Sequence, residues 1–141
     1  MTNEEVKAEF RKYLPAKAAL DSARRTIKQV NDTAGWIKSA VVSGLPNGRV
    51  SDPVADAICK LHRAADQLLK SAGKYEATML RAEELLNMAD DLYGQAVIRM
   101  RWFEDIGFDF IPAKVNLCRR SMFEHYEQAI DEISKKTESL H

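Results

Sequence analysis

A net charge is the first thing this chain lacks. Lysine and arginine number 21 and aspartate and glutamate number 21, so the formal net charge is zero. A strongly basic chain would have pointed to nucleic acid directly; here any such reading must rest on local charge. Cysteine is scarce too. Cys59 and Cys118 stand alone, each within a helical pattern, which excludes a disulfide scaffold and predicts two reduced thiols in a cytoplasmic protein. No apolar run approaches the ~20 residues of a membrane span, and the opening MTNEEVKAEF is too charged for a signal peptide, so no membrane partner is predicted. The motifs of catalysis are missing as well: no phosphate-binding glycine loop, no GxSxG elbow, no dinucleotide fingerprint. No enzyme activity, catalytic residue or cofactor is therefore predicted. Cys59 and His62 lie three apart on one helix face, but no second pair follows at zinc spacing. Glu83-Glu84 and Asp90-Asp91 lack the Glu-x-x-His partner of a di-metal bundle. No metal is predicted, and capping or solvation accounts for these acids.

What is present is helix. Hydrophobic residues make up 45% and charged residues 30% of 141 positions, the balance of a folded chain of about one domain's length. Thr2 followed by Glu5 is a capping-box pattern, and Val6, Phe10 and Tyr13 then recur at helical spacing. Pro15 interrupts, having no amide hydrogen, so a kink or a short first helix ending near Tyr13 is predicted. Leu20, Ile27, Ala34 and Val41 fall seven apart, with Ala16, Ala23, Val30 and Ile37 interleaved, a coiled-coil-like seam of small residues. SGLPNGRVSDP, Ser43 to Pro53, is a turn that ends in Asp52-Pro53, an N-cap and first-turn proline. A second heptad seam then runs through Val54, Leu61, Leu68, Tyr75, Ala82 and Ala89, with Ile58, Ala65, Ala72, Met79 and Leu86 four after each of the first five. The prediction is an all-α fold: a long antiparallel, coiled-coil-like helical hairpin over residues 1–89, used for interaction or oligomerisation, followed by a second domain over residues 90–141. Phe10, Tyr13 and Trp36 lie off or at the end of the hairpin's buried stripe, which predicts self-association as a homodimer.

Beyond Asp90 the character changes. Asp90 and Asp91 can cap a shorter amphipathic segment through Leu92, Ala96, Val97, Met100 and Phe103, which Glu104, Asp105 and Gly107 end. A short helix carrying Pro112 in its first turn begins near Ile111. Asn116 tolerates a left-handed turn, and a last helix starts near Cys118. The polar residues after Ile133 are expected to fray. Helix, short helix, tight turn, helix is the layout of a helix-turn-helix, whose last helix enters the DNA major groove. Met100, Phe103, Phe108, Ile111, Val115, Met122 and Ile130 form its predicted core. Arg119, Arg120 and Ser121, and one turn on Glu124 and His125, would face DNA from the last helix. Lys114 and Arg101 would lie toward flanking phosphates. From Val97 to Lys136 seven basic residues meet seven acidic ones, so strong non-specific binding is not expected.

The stretch from Tyr93 to Ile133, YGQAVIRMRWFEDIGFDFIPAKVNLCRRSMFEHYEQAIDEI, resembles the C-terminal part of phage late-gene transcription regulators of the RinA/ArpU type, itself similar to the promoter-reading region 4 of sigma factors. The likeness rests on an arginine-containing helix ending in an aromatic (Ile98 to Phe103), a glycine-aromatic turn (Gly107-Phe108), a short helix (Ile111 to Val115) and an arginine-led helix closing on Ala129-Ile130. The turn from Ser43 to Ile58 also looks like the one joining the two long helices of those proteins. Pro112 departs from the alanine usual in the short helix. The resemblance implies a phage or prophage transcription regulator that binds double-stranded DNA and works with host RNA polymerase. Two other readings suit an all-helical chain: a packaging or structural adaptor like a small terminase subunit, and a helical protein-binding module or inhibitor that does not bind DNA.

Overall fold

The computed structural model describes the backbone of residues 1–44 and 52–140, and the side chains of residues 1–35 and 53–140. Among these residues the chain is helical and has no strand. α1 spans Asn3–Arg11, capped by the Thr2 hydroxyl, which accepts from the Glu5 amide at 3.2 Å. The chain breaks at Lys12, and α2 (Tyr13–Gly44) begins at once. Pro15 therefore sits in the first turn of α2, where an amide hydrogen has no helical acceptor and its loss is harmless. α3 runs Asp52–Asn87, roughly 54 Å at ~1.5 Å per residue. The turn expected between α2 and α3 lies mostly outside the described residues, as do the side chains of Trp36, Ile37 and Val41.

The chain forms two compact units. One comprises Ala18–Tyr75. Leu20, Ala23, Ala34, Ala65 and Ala72 are buried there, and Ile27, Ile58, Leu61 and Leu68 are half-buried. All nine belong to the heptad seams. Alanine predominates where helices approach closely, because it leaves no side chain to hold them apart. A cavity of about 240 Å³ is lined by Ala19, Ser22, Ala23 and Thr26 from α2 and by Leu68, Ser71 and Tyr75 from α3.

The other unit comprises Met1–Lys17 and Glu76–His141. The division expected between residues 89 and 90 is thus not where the contacts divide: α1 and the end of α3 belong with the C-terminal helices. The reason is apolar. Val6 and Phe10 of α1 are fully buried among Leu85, Leu86, Val97, Ile98, Phe103, Met122 and Ile130. Tyr13 stacks on Phe103 with ring centroids 3.9 Å apart. Two of the three residues that motivated a homodimer are therefore covered within the chain itself. α1 is also tied to the last helix, α6 (Arg119–Ser139). Lys7 pairs with Glu127 at 3.2 Å, Asn3 donates to Asp131, and the Ser134 hydroxyl donates to the Met1 carbonyl. That docking buries Ser134 and Thr137, so α6 continues to Ser139 where fraying was expected.

Candidate functional site

Asp91 opens α4 (Leu92–Ile98), its carboxylate accepting from the Tyr93 amide at 3.0 Å. The helix then widens into a π-helical turn, Arg99–Phe103, instead of continuing regularly to Phe103. The Glu104 amide reaches back five residues to the Arg99 carbonyl at 3.0 Å, and the Ile106 amide reaches Met100. Such wide turns occur mostly as single insertions, often at functional sites. Phe103 enters the core, while Arg101 and Trp102 stay half-buried. Asp105, at φ 58°, ends the turn in the left-handed region, which an aspartate tolerates better than most residues.

α5 is a single short helix, Ile111–Val115, with Pro112 in its first turn, where proline is permitted. Asn116 follows in the left-handed conformation, φ 56° and ψ 39°. It reverses the chain within three residues, and α6 starts at Arg119. Its N-cap is Cys118, whose sulfur accepts from the Ser121 amide at 3.5 Å and lies 3.4 Å from the Ser121 hydroxyl. Those contacts hold the Cys118 thiol below its ordinary pKa. Sequence reasoning took this cysteine only as an isolated thiol. Its position one residue before the helix, with serine three residues on, was the available signal. Ile111 and Met122 are fully buried and Val115 partly so, which anchors the turn to the core.

Arg119 and Arg120 stand on the exposed first turn of α6, with side chains 65% and 89% exposed. Arg119 pairs with Asp109 at 2.6 Å and lies over the Phe123 ring. Arg120 pairs with Glu124 at 3.2 Å. Ser121 is half-buried beside Cys118, and Lys114 is exposed on α5. Arg101 packs over Trp102 at 4.5 Å and over Phe108 at 5.4 Å. His125 departs from the outward placement expected of it. Its Nδ1 lies 2.6 Å from Asp91 Oδ2 and its ring 5.1 Å from Tyr93, so it faces α4. The reason is periodicity: α6 buries Met122, Tyr126, Ala129, Ile130 and Ile133, and position 125 falls at the margin of that stripe. Beyond its first turn the exposed face of α6 carries Glu124, Glu127, Gln128 and Asp131.

A second surface lies beside the turn. Leu92, Tyr93, Ala96, Met100, Lys114 and Val115 line an open groove of about 440 Å³, with Leu92 77% and Tyr93 49% exposed. Lys114 has no ion pair among the described contacts, so the groove is apolar with one unpaired ammonium at its edge. Among the described residues no group of three or more His, Cys, Asp or Glu side chains is arranged to hold a metal ion, and no helix is long and apolar enough to cross a membrane. No protein-family model matches the chain, and no curated protein or solved structure matches it.

Proposed function

We propose that the chain is a DNA-binding transcription regulator of the phage late-gene kind, reading double-stranded DNA with the first turn of α6. The observation that carries the reading is the left-handed turn at Asn116. It joins a short buried-faced helix to one whose opening residues, Arg119 and Arg120, project from the core. Arginine forks match guanine edges and phosphate. The acidic residues from Glu124 onward confine approach to the helix end, which agrees with a recognition helix that uses its N-terminal residues. In this reading α4 with the π turn, α5 and α6 form a helix-turn-helix. α2 and α3 form an antiparallel hairpin that supplies interaction surface, including self-association. His125 serves the α4–α6 contact rather than DNA.

The test is a titration of duplex fragments from the genomic region that encodes the chain. Replacing Arg119 or Arg120 with alanine should cost about 1–3 kcal/mol where the lost contact is to a base edge. Replacing Lys114 should weaken binding evenly across sequences. A wild type with no preference among fragments, matched by an Arg119/Arg120 double variant that binds equally, defeats the reading.

One observation favours a second reading, a protein partner. The groove beside Leu92 and Tyr93 has the apolar surface and single cation suited to an amphipathic segment bearing a carboxylate. Host RNA polymerase is the partner this would serve in a regulator. In a module without DNA binding the groove would be the whole site. Replacing Leu92 with aspartate separates these cases: lost partner binding with intact DNA binding assigns the groove to the protein partner.

A further inference from the structure

Three arginines and three aromatic rings form a continuous strip on the C-terminal unit. The Arg11 guanidinium lies 5.5 Å from the Trp102 ring centroid, and Arg101 lies 4.5 Å from the same ring. Arg101 is also 5.4 Å from Phe108, whose ring is 5.1 Å from Phe123. Arg119 ends the strip 5.5 Å from Phe123. The strip thus joins the last turn of α1 to the first turn of α6. A cation in the last turn of α1 is favoured by the helix dipole, which accounts for the charge of Arg11 but not for its place over an indole from the π turn.

The arginines keep donor capacity that the protein does not use. Arg11 has no acidic partner among the described residues, whereas its neighbours Lys7 and Lys12 are paired with Glu127 and Glu9. The Arg101 Nε is enclosed without a hydrogen-bond partner and out of reach of a ligand; the side chain is 28% exposed, and its Nη1 lies 3.7 Å from the Asp105 carboxylate. A guanidinium held over a ring loses rotational freedom, and its solvent-facing N–H groups stay available for a planar or tetrahedral anion. The acids along the strip are Asp105 on Arg101 and Asp109 on Arg119, and both come from the loop between the π turn and α5.

We propose that Arg11 and Arg101, seated on Trp102, bind backbone phosphates of duplex DNA, making α1 part of the DNA-contact surface. Asp105 and Asp109 compete with those phosphates in the free protein. This rests on the DNA reading above, in which Arg101 already lies toward a flanking phosphate, and adds Arg11 of α1, outside the helix-turn-helix.

The test measures binding of the full chain to a random-sequence duplex by fluorescence anisotropy over a salt series. The variants are Arg11→Gln, Asp105→Asn and, as a control for general charge loss, Lys60→Gln on the exposed side of α3. Arg11→Gln should weaken binding at low salt and flatten the slope of log K against log salt by about 0.9, one phosphate contact, with the thermal midpoint unchanged. Asp105→Asn should tighten binding, since asparagine also accepts the left-handed backbone. If wild type binds and Arg11→Gln leaves affinity and slope unchanged, or Lys60→Gln changes them equally, the phosphate seat is overturned while the DNA reading stands. If wild type binds neither this duplex nor any fragment from the encoding region at any salt, both fall.

Discussion

Gly94 and Ala129 meet where α4 crosses α6, with no room for another carbon. A Cβ on Gly94 would fall 2.5 Å from the Ala129 Cβ and 2.7 Å from the His125 carbonyl oxygen. Glycine in a helix normally costs about 1 kcal/mol relative to alanine; here it is what lets the two helices touch. Gly94→Ala is expected to destabilise by about 1–3 kcal/mol, because backbone must shift to relieve the overlap. Gly73→Ala, with nothing within 4 Å of its added Cβ, is expected to stabilise by about 0.5–1 kcal/mol. Urea denaturation of both variants checks the opposite signs.

Phe10 is fully buried and its ring centroid lies 6.1 Å from that of Phe103. Phe10→Ala should cost about 3–5 kcal/mol. If α1 were instead a loose arm, the unfolding midpoint would hardly move. The same measurement therefore tests the grouping of α1 with the C-terminal helices.

Asn116 at φ 56° sets the angle at which α6 leaves α5. Asn116→Gly should be close to neutral, because glycine adopts this region freely. Asn116→Val should cost about 1–2 kcal/mol from the crowding of a β-branched side chain at positive φ. Thermal unfolding of the pair separates a backbone requirement from loss of the asparagine side chain.

The Tyr126 hydroxyl accepts from Trp102 Nε1 at 3.2 Å, and burial raises the phenol's pKa. The unfolded phenol ionises near pH ~10, so the folded state resists an ionisation that the unfolded state undergoes. Tyr126 therefore contributes its full stability below that pH and loses it as pH rises through the folded value. Tyr126→Phe should be less stable than wild type near neutral pH, by about 0.5–1.5 kcal/mol for the lost acceptor. The difference should narrow above pH ~10. Parallel urea titrations on both sides of that pH provide the check, and a constant difference would contradict the linkage.

Helix ends were legible in the sequence because local chemistry sets them. Thr2 and Asp91 cap through amides two or three residues away, Pro15 and Pro112 can stand only in a first turn, and Asn116 tolerates the left-handed reversal. The heptad spacing of Leu20 and Ala23, and of Ala65 and Ala72, likewise marked the faces that are buried. A periodic pattern names a face but not its partner. That Phe10 and Tyr13 cover Phe103 rather than a second molecule, that Leu85 beside the seam is fully buried, and that His125 turns to Asp91 were decided by tertiary packing. So was the strip from Arg11 to Arg119, whose first member lies far in sequence from the others. The physical reason is that caps and turns are closed within about four residues, whereas burial and stacking depend on which surfaces meet when apolar area leaves water.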